Sequence, residues 1–239
     1  MSNPLIPNLT GSKDLEELKK SLLSEEGIKA TFLENTEEKL AIEEKVLKET
    51  NNEKKVYSYN ESLERMRKYG YERHLRPNEA FNIIIDALEF PESNYKEIYK
   101  DMMSSSGEWL SIAIERDKDF LICYLDPEFI ILEDNNYNTT NISSADKIKF
   151  YIGDGIQSND WVSLKEFPKD FTAFLLSKSF FDLPDKMKIG ENEIRIYLPE
   201  NGIWPMAYRH LDLAYNIIEY SKHSASRGVK KYARSINNR

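Results

Sequence analysis

The sequence predicts an α+β protein: a mainly antiparallel sheet flanked by helices, with an N-terminal helical arm. Three observations carry this. Apolar residues recur at helical spacing between residues 60 and 103. From residue 108 the period changes to short apolar runs and alternation, broken by turn-forming residues. Residues 1–57 differ in composition, with twelve acidic residues, nine lysines, no arginine and only Phe32 as an aromatic before Tyr57.

The arm reads as two short helices. Ser12 can cap the first, with Asp14, Glu16 and Glu17 where the helix dipole favours anions. Leu15, Leu18, Leu22 and Leu23 form one stripe, and Gly27 ends it. Thr36 can cap the second, in which Leu33, Leu40 and Leu47 recur at sevens beside Ile42 and Val46. Residues 49–55 read as a solvated linker. The expected organisation is therefore an acidic arm and linker over 1–57, a core domain over 58–220 and a basic tail over 221–239.

Within the core, Asn60 is a cap for a helix carrying Leu63, Met66 and Tyr69, with Gly70 at its end. Arg76-Pro77 opens a second helix, since proline suits a first turn, and Phe81, Ile84, Ile85 and Leu88 supply its stripe. Ser93 starts a third through Tyr95, Ile98, Met102 and Met103. Residues 108–116 and 120–125 then flank Asp117-Lys118-Asp119 as a hairpin, which 129–132 continues. Residues 134–144 read as a long polar loop. Strands are expected at 147–152, 161–167 and 193–198, and a helix after Pro168. A last helix is expected from Pro205, burying Tyr208, Leu211, Tyr215 and Ile218.

Charge is segregated along the chain. The net charge is −8, yet no acid follows Glu219, and Lys222, Arg227, Lys230, Lys231, Arg234 and Arg239 all lie beyond it. A second basic cluster holds Arg65, Arg67, Lys68, Arg73, His74 and Arg76. Such patches can attract phosphate backbones, and Tyr69, Tyr71 and Tyr232 could stack on bases. The competing reading is internal: the tail docks on the acidic arm, and the cluster pairs with Glu61, Glu64, Glu72 and Glu79.

Catalytic signatures are sparse. The nine glycines form neither a phosphate loop nor a dinucleotide fingerprint, and no serine nucleophile elbow occurs. The single cysteine, Cys123, lies in an apolar run where a reactive thiolate is disfavoured. Three histidines leave little for a histidine-rich metal centre. Glu108, Glu115 and Asp126 could converge at one end of the hairpin and bind Mg²⁺, and Asp185 precedes Glu193-Ile194-Arg195 at a nuclease-like interval. No cofactor or resident metal is expected.

Residues 1–7 carry no basic leader, and the longest apolar runs are about four residues against the roughly 20 a spanning helix needs, so a cytoplasmic protein off the membrane is expected. The leading functional expectation is a non-catalytic interaction or assembly protein, whose terminal arms bind a protein partner or a second copy of the chain. One alternative is nucleic-acid binding, with 65–76 and 221–239 on one face. The other is a metal-dependent enzyme acting on phosphate-containing substrates, with Glu108, Glu115, Asp126 or Asp185 beside a basic residue in a pocket.

Overall fold

The fold was analysed in a computed structural model that describes residues 30–34, 39–43, 55–90, 92–103, 107–128, 130–133, 138–142, 145–156, 160–177, 180–183, 193–198, 200, 202–210, 216–220 and 224–232. Among these residues lie four helices: α1 (Tyr59–Lys68), α2 (Pro77–Glu89), α3 (Lys96–Met102) and α4 (Lys169–Leu176). The first strands are β1 (Ala30–Glu34), β2 (Lys39–Glu43), β3 (Val56–Tyr57), β4 (Glu108–Asp117), β5 (Phe120–Leu125), β6 (Ile130–Glu133) and β7 (Asn138–Ile142). The remainder are β8 (Asp146–Tyr151), β9 (Asp160–Ser163), β10 (Ile194–Leu198), β11 (Ile203–His210), β12 (Asn216–Tyr220), β13 (Ser224–Ala225) and β14 (Val229–Tyr232).

The α+β class holds, with antiparallel pairing dominant. A nine-stranded sheet runs β3-β13-β4-β11-β12-β10-β9, with β5 on β4 and β8 on β5. Among the described residues the strand pairs β10–β12 and β13–β4 and the isolated Leu75–Leu110 bridge are parallel, and the other strand pairs are antiparallel. A three-stranded sheet, β1-β2-β14, lies beside it. Among the described residues no helix is long and apolar enough to cross a membrane.

Helix starts follow local chemistry. Ser58 caps α1 two residues before the expected Asn60: Glu61 N donates to Ser58 Oγ, and Ser58 N donates to Glu61 Oε2 at 2.8 Å. Gly70 ends the segment at φ +76°, as a glycine can. Pro77 opens α2, where Arg76 N donates to Glu79 Oε2. The 117–119 turn is as expected, with Lys118 at φ +52°.

Strand β4 is buried on both faces, which explains its nearly continuous apolar run. Leu110, Ile112 and Ile114 enter the main core with Phe81 and Ile84 of α2. Trp109 and Ala113 enter a second cluster with Tyr59, Leu63 and Met66 of α1. The aromatic pairs that join layers are edge-on: Tyr59 to Trp109 at 5.2 Å, Phe81 to Tyr208 at 5.9 Å.

Several expectations are overturned. The second arm helix is instead the hairpin β1–β2, with Leu33 opposite Leu40. Leu40 and Ile42 join the main core while Ala41 joins the second cluster, so period two satisfies both faces; Thr36, Val46 and Leu47 of the expected helix lie outside the described residues. The first arm helix, over 12–27, lies outside the described residues. The last helix is replaced by β11 and β12, antiparallel with Tyr208 opposite Ile218. Pro205 is accommodated beside a bulge between itself and Ala207. Leu211 and Tyr215 lie outside the described residues. The polar 134–144 loop contains β7, which pairs with β6, so 130–133 leaves the main sheet rather than extending it. Of the strand expected at 161–167 only 161–163 is extended, within β9; a 3-10 turn follows at Leu164–Glu166.

Gly228 precedes β14 and lies flat under Tyr71: a Cβ there would stand 2.3–2.8 Å from the Tyr71 side chain. Gly228→Ala is expected to cost about 1–3 kcal/mol by urea denaturation, whereas Gly107→Ala, whose nearest neighbours stand at 3.3–3.4 Å, costs less.

Candidate functional site: a buried ion network beside a cleft

Two runs that are far apart in sequence meet at the start of β4. Leu75 bridges Leu110, and Arg73 bridges Val229. Ser111 N donates to Leu75 O at 2.7 Å, and Ser111 O accepts from Asp126 N at 3.1 Å. Here β5 ends and the chain turns away from β4 at Asp126, which takes φ +48°. The splayed edge brings α1, residues 71–76 and the 126–128 turn together.

Arg227 is fully buried at the centre. Its Nε donates to Glu108 Oε2 at 2.8 Å, and its Nη2 donates to Glu108 Oε1 at 2.9 Å and Asp101 Oδ2 at 2.7 Å. Its Nη1 donates to the Glu43 carbonyl. The Glu43 carboxylate, also fully buried, is gripped by both Nη atoms of Arg65 at 2.6 and 3.1 Å and accepts from Gly228 N at 3.0 Å. Burial opposes both guanidinium charges, but Glu43 for Arg65, and Glu108, Asp101 and Glu43 for Arg227, outweigh it and hold both protonated.

A second set lies beside it, with Arg73 and Glu79 buried and Arg76 and Asp126 half-buried. Arg73 forks onto Glu79 at 2.6 and 2.7 Å and donates to His74 O. Arg76 forks onto Asp126. Burial alone would raise the Asp126 pKa; the Arg76 and Arg73 guanidiniums instead hold it below the usual carboxylate range. Between the two sets sits His74, buried, with Ser62 Oγ 3.1 Å from Nε2 and the Arg227 carbonyl 3.4 Å from Nδ1. Burial, with Arg65 and Arg73 nearby, lowers its pKa to about 3.

Over this floor lies an open cleft of about 430 Å³. Leu63, Tyr71 and Pro127 supply its apolar surface, Ser111, Arg73 and Asp126 its polar floor, and Arg67, Glu72 and Glu128 its exposed charges.

The sequence-predicted cations are thus redistributed. Arg65, Arg73 and Arg227 turn inward and Arg76 is half-buried on Asp126, so these four do not form an exposed phosphate-binding face. Distant carboxylates neutralise Arg65, Arg76 and Arg227, whereas Arg73 pairs with Glu79, one of the four acids the sequence offered to the cluster. Arg67 is exposed on the cleft, and the exposed Lys68 lies over the Tyr69 ring at 5.4 Å. Lys230 and Lys231 lie in β14 opposite Ala41 and Leu40. Lys222 and Arg234 lie outside the described residues. The docking of basic tail on acidic arm is realised at Glu43, Gly228 and Arg227.

The expected carboxylate convergence is not formed. Glu108 belongs to Arg227, Glu115 accepts from Tyr124 Oη at 2.5 Å, Asp126 belongs to Arg76, and Asp185 lies outside the described residues. Among the described residues no group of three His, Cys, Asp or Glu is placed to hold a metal. Cys123 is buried, and burial pushes its thiol pKa up. Sequence reasoning missed Glu43, Asp101 and Ser111 as site residues, and named Tyr71 only as a ring that could stack on bases. The one available signal was an acid ending the alternating run Leu40-Ala41-Ile42-Glu43.

No protein-family model matches the chain, and neither a curated protein nor a solved structure does. The geometry is what remains. Its buried charges are paired, Arg65 with Glu43, Arg73 with Glu79 and Arg227 with Glu108 and Asp101.

Arg227→Met leaves Glu108 and Asp101 buried without their cation and is expected to cost about 3–5 kcal/mol of unfolding free energy, read by urea denaturation. A pH effect follows from His74. An unfolded imidazole binds a proton below about pH 6.5; folded His74 does so only near pH 3. Between those values the unfolded chain holds one proton more, so His74 makes stability fall as pH drops, by up to about 1.4 kcal/mol per pH unit. Subtracting the pH profile of His74→Gln from that of the native chain should isolate this slope between pH 6 and 4; identical slopes would contradict the buried neutral imidazole.

Proposed function

We propose that this chain is a non-catalytic assembly protein that pairs with a second copy of itself through the edge strand β9. The described parts of the two ends, 39–43 and 224–232, pair with each other. The assembly reading moves to a sheet edge.

The observation that carries it is a contrast between two edges of the main sheet. Open edges invite pairing with other chains and are commonly blunted by charge. On β8, Asp146, Lys147 and Lys149 are all exposed. On β9, Asp160 is followed by Trp161, Val162 and Ser163 with no further charge. Trp161 is 37 % exposed and its ring stands 5.2 Å from its cross-strand partner Tyr197. Among the described residues, strand β9 bonds β10 on one side and ends the sheet on the other. An antiparallel β9–β9 contact about a two-fold axis would use the same residues on both copies, with Trp161 and Tyr197 as aromatic anchors.

Sedimentation velocity of the full chain over about 1–100 µM tests this. The average mass should rise toward a dimer, and Trp161→Lys should weaken association about tenfold or more without lowering the melting temperature. A monomer at every concentration, or an equally associating Trp161→Lys chain, would overturn it.

A further inference from the structure

We infer, resting on the reading that β9 is the assembly edge, that Asp160 guards this edge. Its carboxylate occupies the Trp161 N–H, a donor that a second copy needs, and the two copies meet about Val162.

The direction of the β9 backbone groups decides what a second copy can reach. Residues of an antiparallel pair alternate: one opposed pair exchanges both backbone bonds, and the next turns its N–H and C=O groups away while its side chains stand closer. Strands β9 and β10 set Asp160 opposite Leu198, Trp161 opposite Tyr197, Val162 opposite Ile196 and Ser163 opposite Arg195. Two features put Trp161 in the outward class. Its N–H donates to Asp160 Oδ1 at 2.7 Å, an acceptor on its own strand. Its ring meets the Tyr197 ring edge-on at 5.2 Å, the close side-chain contact expected of an opposed pair that exchanges no backbone bonds. By alternation Ser163 has the same orientation, and Val162, buried in the main core, bonds toward β10.

The N–H and C=O groups of Trp161 and Ser163 are therefore the ones a second strand would use. A two-fold contact engages all of them when Val162 lies on the axis, with Trp161 of each copy opposite Ser163 of the other. Four backbone bonds then close, and two of the four donors are the Trp161 N–H groups. A register centred on Trp161 closes only two and carries Ser163 past the start of the second copy's strand. In the single chain the Trp161 N–H is already satisfied by Asp160, the one charged residue of β9. Each copy must release that carboxylate before the edges join, so the contact is weaker than the aromatic anchors alone would make it. A charge placed on an edge strand is a common restraint on open-ended pairing.

Sedimentation velocity of the full chain tests this with Asp160→Ala, Asp160→Asn and the double variant Asp160→Ala/Trp161→Lys. Asp160→Ala should tighten association about tenfold. Asp160→Asn removes the charge but keeps an acceptor oxygen in place, and should tighten it less. Adding Trp161→Lys to Asp160→Ala should abolish the gain. In the dilute, monomeric Asp160→Ala chain the Trp161 amide should exchange close to the unstructured rate while Val162 stays protected. Three results would each overturn the guard while leaving the β9 reading to its own Trp161→Lys test. These are no gain from Asp160→Ala, an equal gain from Asp160→Asn, and a Trp161 amide that stays protected without Asp160. A gain from Asp160→Ala that survives Trp161→Lys would place association elsewhere and overturn both.

Discussion

The fold turns on one buried arrangement, the guanidinium of Arg227 held by Glu108 and Asp101, with its Nη1 on the Glu43 carbonyl. It joins three regions that are remote in sequence. Glu43 comes from the acidic N-terminal part, Glu108 from the first residue of the central strand, and Arg227 from the basic C-terminal part. Arg65 completes it from α1. Each charge is desolvated, which is costly alone. Together they leave each carboxylate and guanidinium with several partners. A buried ionic set of this kind fixes which segments may meet, because any other pairing leaves a charge unmatched inside the core.

That constraint places the rest. With Glu43 and Arg227 fixed, β2 and β14 lie side by side, and Gly228 must accept the Tyr71 ring over its backbone. With Tyr71 and Arg73 fixed, α1 and the 126–128 turn stand apart by a cleft. The polar floor of that cleft is thus a by-product of the same network that closes the chain ends. The edge strand β9 lies at the opposite extreme of the main sheet.

Much of the middle was legible. The stripes of α2 and the hairpin β4–β5 follow from local periodicity and from a turn, which are short-range properties. The start of α2 at Pro77 and the left-handed Gly70 follow from single-residue conformational limits. The failures share a cause. The spacings of Leu33 and Leu40, and of Tyr208, Leu211 and Tyr215, match a helical stripe, and only strand pairing, β1 with β2 and β11 with β12, overrides that local pattern. The candidate site is less legible still. Arg65 and Glu43 are 22 residues apart, and Arg227 and Glu108 are 119 apart. A cation with a remote partner reads in sequence as a free cation.

Native-state hydrogen exchange at the Gly228 and Glu43 amides tests the network most directly. Gly228 N donates to Glu43 Oε2, and Glu43 N donates to the Gly228 carbonyl, both at 3.0 Å. If the network welds the two ends to β4, these amides exchange only by global unfolding, with the same free energy and denaturant dependence as Ile112 and Ile114 in β4. Exchange through a local opening, several kcal/mol below the global value and insensitive to denaturant, would show that the ends are merely laid on the core and would contradict the account.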